Sequence, residues 1–231
     1  YPKAEPVLPE VEAIPSVDGK VDVYDFGAEQ LDTEKYVNKL NADIINSWYP
    51  GVEAGTKGKN IASFEVKDEN GKTVLAFNDG GFPAAHRLRS TNTAITRFDE
   101  KSLKNAAGEV AYQGYIYSNK GTTDSVNVQV YLEKGDKVTF AVASNGTDSN
   151  LGFKAPSGKL DDSYTHTAGS GTASEVTYYA GETGLYTLYS ISEKLVVARI
   201  MVEHGQPVNV TGFVNAPDAL ENYQIAFTCH Q

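Results

Sequence analysis

VNVQVYLEKGDKVTFAVA, residues 126–143, is the stretch that decides the fold class. Apolar residues occupy every second position on both sides of the polar run EKGD at 133–136. A period of two places successive side chains on opposite faces of a β-strand, so the stretch predicts two strands. Because only a short, glycine-containing turn separates them, we expect the two strands to form a hairpin.

The same signals continue on both sides of this stretch. Alternating or β-branched runs, separated by turn residues, predict further strands at residues 21–26, 61–66, 73–77, 112–117, 176–179, 185–190 and 195–202. An Asn-Gly turn at 70–71 favours a hairpin between the second and third of these runs. The run LVVARIMV at 195–202 is almost wholly apolar, which predicts a central strand buried on both faces.

One segment, residues 33–46, has a helical rather than a strand pattern. Val37, Leu40 and Ile44 fall on one face of a helix, and Thr33 can cap its first turn. With the strands on either side, the sequence predicts an all-β fold over residues 20–204. The expected architecture is a β-sandwich of jelly-roll type with one short helix.

Both ends of the chain differ in composition from the segment between them. Residues 1–19 hold four of the nine prolines, which favours an extended interdomain linker; a packed edge strand is the alternative. Residues 205–231 contain two strand-like runs, too few for an independent domain. They are predicted to open a following β-sandwich module, and an extra hairpin on the main sandwich is the alternative.

Charge and composition exclude several classes of function. The formal net charge of −10 argues against binding to nucleic acid or to anionic membranes. No run approaches the roughly 18 apolar residues of a membrane helix, which argues against membrane insertion. A single Cys excludes an intrachain disulfide. Fourteen Tyr, with abundant Thr, Asn and Gly, are typical of extracellular or cell-surface β proteins.

Arginine is unevenly placed along the chain. Three of the four arginines, Arg87, Arg89 and Arg97, lie within eleven residues, with His86 and Asn92 among them. Guanidinium groups bind carboxylates bidentately, which ammonium groups cannot do. Side chains two positions apart on a strand share a face and lie about 7 Å apart. The cluster predicts contact with an acidic glycan; pairing with the chain's own thirty Asp and Glu is the alternative.

An aromatic pair, Trp48 and Tyr49, follows the predicted helix. The flat C–H faces of sugars stack on aromatic rings, so an exposed pair would form a platform for a glycan. Burial of the lone Trp in the core is the alternative.

Motifs for catalysis are absent from the sequence. It contains no G-x-S-x-G elbow, P-loop, G-x-G-x-x-G or H-E-x-x-H run. We therefore expect a non-catalytic module without a cofactor. Asp161 and Asp162 could hold a structural Ca²⁺, which takes oxygen ligands, and a solvated turn is the alternative.

Residues 23–204 resemble the non-catalytic β-sandwich modules of secreted bacterial pectate lyases and pectin esterases. The resemblance is carried by VYDFGAEQLD at 23–32, INSWYPG at 45–51, FNDGGFPAAHRLRSTNTAITRFD at 77–99, and GLYTLYS and ARIMVE at 184–190 and 198–203. It implies a jelly-roll carbohydrate-binding module, covalently linked to an enzyme that acts on pectin. The choice of Arg87, Arg89 and Asn92 as ligand contacts rests on their chemistry alone.

Three functions remain open at this point. The leading hypothesis is a module that binds a pectic, galacturonan-type polysaccharide for an attached enzyme. A jelly-roll polysaccharide lyase is the second, with His86, Arg87, Arg89 and a Tyr in the reacting roles, although the Q-x-H and Y-x-K-x-G-x-Y patterns of such lyases are missing. A structural or adhesion spacer is the third.

Overall fold

The computed structural model describes residues 11–120, 124–144, 147, 149–161, 165–166, 172–191 and 194–205. Within them one helical turn, α1, spans Ala42–Asn46. The strands are, in chain order, β1 (Val21–Asp25), β2 (Tyr36–Asn38), β3 (Phe64–Lys67), β4 (Thr73–Asp79), β5 (Arg87–Ser90), β6 (Leu103–Lys104), β7 (Val110–Tyr112), β8 (Gly114–Tyr117), β9 (Val126–Leu132), β10 (Lys137–Ala143), β11 (Ser149–Lys154), β12 (Leu160–Asp161), β13 (Thr165–His166), β14 (Ser174–Tyr179), β15 (Gly184–Ser190) and β16 (Val196–Glu203).

Two mainly antiparallel sheets face each other. The first, here the front sheet, has the order β14-β10-β16-β1-β2, and β8 and then β5 extend it beside the first residues of β16. The second, the back sheet, has the order β12-β11-β15-β9-β4-β3, with β13 beside β11. The prediction of an all-β sandwich with one short helix is confirmed.

Aromatic side chains from both sheets fill the space between them. Phe153 of the back sheet stacks on Tyr178 of the front sheet with ring centroids 3.9 Å apart, and it contacts Phe140 edge-on at 5.6 Å. At the other end, Trp48 stacks on Phe64 at 3.7 Å. Such pairs contribute about 0.5–1.5 kcal/mol beyond their buried area, so they fix how the two sheets sit on each other.

The predicted hairpin of β9 and β10 is wrong. β9 pairs with β4 and β15 in the back sheet, whereas β10 pairs with β14 and β16 in the front sheet. The turn at 133–136 therefore carries the chain from one sheet to the other. Two of its amides bond outside the turn, since Gly135 N donates to Ala180 O at 2.8 Å and Lys134 N to Thr183 Oγ1 at 3.0 Å. By contrast, the predicted hairpin of β3 and β4 is present.

The predicted helix at 33–46 is shortened to its last turn. Residues Tyr36–Asn38 form β2, which pairs in parallel with β1 through Val21↔Tyr36 and its successors. The cap is Asn41, whose Oδ1 accepts from Ile44 N at 2.8 Å, rather than Thr33. Leu40 and Ile44 are buried as the helical pattern required, but pairing with β1 takes the preceding residues into the sheet.

The segment predicted as one strand at 112–117 divides into two parts. β8 extends the front sheet, whereas β7 pairs with β6 in a two-stranded ribbon. Leu103 and Tyr112 of this ribbon pack on the outer face of the front sheet, against Tyr115, Ala143 and Ala198. The front sheet is thus covered on both faces, which explains why its central strand β16 is apolar almost throughout, as predicted.

The residues before β1 contact the sandwich where the structure describes them. Val11, Ala13 and Ile14 pack against the core, and Ala13 N donates to Lys67 O at 2.7 Å. Residues 11–14 thus follow the alternative prediction, a segment packed on the sandwich, and not that of a linker. Residues 1–10 lie outside the described residues. The predicted module opening at 205–231 lies outside them from residue 206 onward. None of the described helical structure is long and apolar enough to cross a membrane.

Candidate functional site

Arg87 and Arg89 share the outer face of the front sheet. Their neighbours Leu88 and Ser90 are fully buried, so the alternation of β5 turns both arginines away from the core. Across the strand pair, Arg87 faces Tyr117 and Arg89 faces Tyr115. Directly opposed residues of an antiparallel pair lie on the same face, so two arginines and two tyrosines form one surface.

A cleft of about 570 Å³ opens beside this surface, between the β6–β7 ribbon and the outer face of β8 and β16. Its floor is formed by Tyr115, Tyr117 and Val196, and its rim by residues on either side of β6. The cleft exists because Leu103 anchors the ribbon on the sheet while its polar neighbours turn outward. The full set of lining residues is Arg89, Lys101, Ser102, Leu103, Lys104, Asn105, Ala106, Gly108, Tyr115, Tyr117, Ser144, Thr172 and Val196.

The charges of the cleft are all positive. Arg89, Lys101 and Lys104 line it, and no Asp or Glu is among the described residues that do. Lys101 and Lys104 are exposed, and neither forms an ion pair with a residue that the structure describes. In a chain of net charge −10, three cations around one opening mark a local field that favours an anion.

Arg89 is held in place at the mouth of the cleft. Its guanidinium lies 4.8 Å from the centre of the Tyr117 ring, and Nη1 donates to Tyr115 Oη at 3.4 Å. Asp99 Oδ2 is 3.4 Å from Nε and forms an ion pair with it. The ion pair neutralises part of the arginine's charge, but it also orients a side chain that would otherwise sample many rotamers.

Arg87 donates only to uncharged oxygens in the described part of the chain. Its Nη1 lies 3.0 Å from Asn60 Oδ1, 3.2 Å from Ala84 O and 3.3 Å from His86 O. These acceptors fix the position of the guanidinium without cancelling its charge. Arg87 therefore presents a full positive charge on the same face as Arg89.

Two of the predicted site residues are core residues, which corrects the expectation that they contact a ligand. His86 is fully buried, with its ring edge-on to Phe77 at 5.4 Å and Nε2 at 2.8 Å from Asp79 O. Trp48 is 8% exposed and stacks on Phe64. Both side chains fill space between the sheets, and a ligand cannot reach either ring.

Three further predicted residues serve the local structure. Asn92 donates from Nδ2 to Gly27 O at 3.2 Å, and its Oδ1 accepts from Ala94 N at 3.0 Å. Arg97 lies over the Tyr49 ring at 5.4 Å and is not among the residues that line the cleft. Burial raises the pKa of the Tyr49 hydroxyl far above its usual range, opposed only in part by Arg97. Arg87 and Arg89 therefore form a surface pair, whereas Arg97 packs on Tyr49.

Sequence reasoning missed Lys101 and Lys104. The signal was a KSLKN run at 101–105, which closely follows the arginine cluster and lies between two predicted strands. Only the folding of the ribbon over β8 brings these lysines to the same opening as Arg89. Tyr117, by contrast, lay in a predicted strand, and its opposition to Arg87 follows from the strand pairing.

Arg199, the fourth arginine, illustrates the internal role that was the alternative for the cluster. Its Nε is 2.5 Å from Asp25 Oδ2, and Nη2 binds Glu29. Burial, with the neighbouring Asp25, raises the pKa of the Glu29 carboxyl above its usual range. Two acids therefore hold Arg199 within the sheet surface, unlike Arg87, which has only uncharged acceptors.

A second, smaller cavity of about 230 Å³ has a cluster of mutually bonded charged residues in its lining. His204 lies between two buried carboxylates, with Nδ1 3.0 Å from Asp136 Oδ1 and Nε2 2.6 Å from Asp22 Oδ2. Lys39 also lies 3.8 Å from Asp22 and donates to Ile14 O, which fastens the segment before β1. His204, Lys39 and the two carboxylates therefore pair with one another, and we assign them a structural role.

The hydrogen bonds that the His204 ring donates to Asp136 and Asp22 raise its pKa to about 10, against the opposing effect of burial. Burial works to raise the pKa of Asp22, but the hydrogen bonds from His204 and Ser16 outweigh it and the pKa is lowered. The imidazolium of His204 and the carboxylate of Asp22 are therefore charged at neutral pH.

The described residues contain no group of three or more His, Cys, Asp and Glu that could hold a metal ion. Of the predicted Ca²⁺ ligands, Asp162 lies outside the described residues, and so does the side chain of Asp161.

Comparison with known proteins gives matches in structure only, since neither a protein family nor a curated protein matches the chain by sequence. The YXIM protein of Bacillus subtilis overlaps with 82% of this chain at 14% identity and a TM-score of 0.42, and the chain spans 42% of that protein's length. A carbohydrate-binding module of Cellvibrio mixtus lichenase 5A, solved with cellotriose, overlaps with 46% of this chain and 86% of its own at 12% identity and a TM-score of 0.29.

A third structure, the C-terminal carbohydrate-binding module of the laminarinase LamC from Zobellia galactanivorans, overlaps with 65% of this chain and 95% of its own. Its identity is 12% and its TM-score 0.26. Similarities of this size leave the function to be argued from the chain's own residues.

Proposed function

We propose that this chain is a non-catalytic module that binds a carboxylated polysaccharide of the pectic, galacturonan type. The observation that carries the proposal is the cleft lined by Arg89, Lys101 and Lys104 beside the ring of Tyr117. Cations bind carboxylates, and the guanidinium group can do so with two parallel hydrogen bonds. Aromatic rings offer the apolar faces on which sugar rings stack. Every repeat of a uronic-acid polymer presents both a carboxylate and the apolar face of a sugar ring.

Because the chain as a whole is negatively charged, binding of a polyanion has to depend on local contacts. A net charge of −10 repels a polyanion at long range, so binding depends on contacts made within the cleft. Arg89 lines the cleft and Arg87 shares its face of β5, and hydrogen bonds or an ion pair hold both guanidinium groups. Lys101 and Lys104 form no ion pair with a residue that the structure describes. Preorganised cations lose little conformational entropy on binding, which favours affinity.

The pectic identity of the polymer rests on the resemblance of residues 23–204 to modules of pectin-degrading enzymes. On the same ground we place the module outside the cell and covalently linked to a catalytic module. A lyase with His86 as a reacting group is disfavoured, because the ring of His86 is fully buried. A lyase base has to reach the proton that it removes.

Affinity electrophoresis tests the proposal directly. The protein is run in gels that contain polygalacturonate, fully methyl-esterified pectin, alginate, xylan or a neutral β-glucan. We expect strong retardation by polygalacturonate, weaker retardation by the esterified pectin and none by the β-glucan. Equal retardation by the charged and neutral polymers would contradict the proposal, and an ultraviolet assay for unsaturated products would reveal a lyase.

A further inference from the structure

Phe82 is one of few large apolar side chains that the described structure leaves exposed, at 48% of its surface. It lies in the turn after β4, and Lys120 Nζ stands 5.4 Å from the centre of its ring. An aromatic ring exposed to water beside a cation repeats the chemistry of Tyr117 and Arg89 in the cleft. Phe82 contributes to no core cluster that the structure describes.

The turn that carries Phe82 is rigidly built. Asp79 accepts hydrogen bonds from Gly81 N at 2.8 Å through its carboxylate and from Phe82 N at 3.1 Å through its carbonyl. Gly80 has φ 64, and a Cβ there would lie 2.7 Å from Val126 Cγ2, so only glycine fits. The backbone that carries the ring is thereby fixed, which reduces the entropy lost when a ligand binds there.

Hydrogen bonds hold together the two short segments that lead from the Phe82–Lys120 pair to Arg87 and Tyr117. Ala85 N donates to Phe82 O at 3.0 Å, and Arg87 Nη1 donates to Ala84 O at 3.2 Å. On the neighbouring strand, Tyr117 Oη donates to Asn119 Oδ1 at 3.3 Å, one residue before Lys120. Phe82 and Lys120, which contact each other, thus lie a few residues along the chain from Arg87 and Tyr117, which oppose each other across β5 and β8. These four residues are here called the outer track, and Tyr117 also lines the cleft.

We infer that the outer track is a second subsite for the same polysaccharide chain that the cleft binds. The inference rests on the proposed function. It means that the module recognises the interior of a polymer with consecutive carboxylated units, because only a long chain spans the cleft and the Phe82–Lys120 pair together. Short oligomers occupy the cleft alone, so affinity rises with chain length until both subsites are filled.

The test is titration calorimetry with galacturonate oligomers from the disaccharide to the octasaccharide. Phe82→Ala is compared with the parent protein and with Val17→Ala, which removes a side chain of similar exposure, 47%, outside the outer track. We expect Phe82→Ala to bind the octasaccharide about fivefold more weakly, the loss of an ordinary contributing contact, and short oligomers unchanged. Val17→Ala is expected to match the parent at every length.

Lys120→Ala, with Lys134→Ala as its control on the turn at 133–136, is expected to show the same dependence on length. The inference is overturned if Phe82→Ala and Lys120→Ala bind the octasaccharide as the parent does, or if they lose affinity equally at every length. A parent protein that binds oligomers with no dependence on length overturns the inference and leaves the proposed function intact. A parent that binds none of them overturns both. Matching melting temperatures confirm that the variants fold.

Discussion

The guanidinium of Arg89 lies 4.8 Å from the centre of the Tyr117 ring, at the mouth of a cleft whose charges are all positive among the described residues. Arginine and tyrosine come from neighbouring strands, β5 and β8, and the stacking fixes both side chains. One flat ring and one planar cation are thereby presented together. This is the smallest unit that can recognise both the ring and the carboxylate of a uronic acid.

The lysines of the cleft are expected to contribute to binding and not to stability. Lys101→Ala and Lys104→Ala should each weaken polygalacturonate binding by up to about fivefold, because an exposed ion pair is worth up to about 1 kcal/mol. Calorimetric titration of each variant, with Lys134→Ala as control, measures the effect. Unchanged affinity in both variants would remove the lysines from the site.

The arginines are expected to separate into two classes. Arg87→Ala and Arg89→Ala should each weaken binding roughly ten- to hundredfold, since a hydrogen bond to a charged group contributes about 1.5–3 kcal/mol. Arg97→Ala should bind as the parent does, because its guanidinium packs on Tyr49 away from the cleft lining. Binding constants and melting temperatures are measured together. Loss of stability with unchanged affinity for Arg87→Ala or Arg89→Ala would make these arginines internal partners.

His204 is expected to make stability depend on pH in the alkaline range. Its pKa is raised from 6.5 to about 10, so its protonated form stabilises the fold fully below pH 6.5. That contribution is lost as the pH rises towards 10. The free energy of unfolding should therefore fall between these values more steeply for the parent than for His204→Gln.

Denaturant melts at several pH values measure this difference. Parallel pH profiles for the parent and His204→Gln would show that His204, which bridges Asp22 and Asp136, contributes nothing to the free energy of unfolding.

Trp48 is expected to act through packing alone. Trp48→Ala removes the ring stacked on Phe64 and should lower the free energy of unfolding by about 3–5 kcal/mol, as large-to-small core substitutions do. At a temperature where the variant stays folded, its affinity for polygalacturonate should equal that of the parent. A specific loss of affinity without loss of stability would restore Trp48 as a platform for the glycan.

The strands could be predicted from the sequence, but their partners could not. Alternation at 126–143 fixes which side chains face the core, because the period of two is local. Whether β9 and β10 pair with each other depends on distant strands. β4 and β15 flank β9, whereas β14 and β16 flank β10. The same limit applies to β2, where the apolar spacing fitted a helix and pairing with β1 determined the outcome.

The candidate site was predictable in part for a similar reason. Arg87 and Arg89 were placed on one face by their spacing, and the structure agrees; their role in binding stays a prediction. Lys101 and Lys104 join them only because the ribbon folds over β8, a non-local event. Burial of His86 was not visible in the sequence, since its polar neighbours indicated a surface segment.

The most direct test of the central claim is the affinity of the parent protein for polygalacturonate before and after complete methyl esterification. Esterification leaves the sugar rings in place and removes the negative charge that Arg89 and the two lysines are proposed to bind. The account predicts that affinity falls at least tenfold on esterification. It also predicts that Arg89→Ala discriminates less between the two polymers than the parent does, with Lys101 and Lys104 keeping part of the preference. Equal binding of both polymers by the parent would contradict the account.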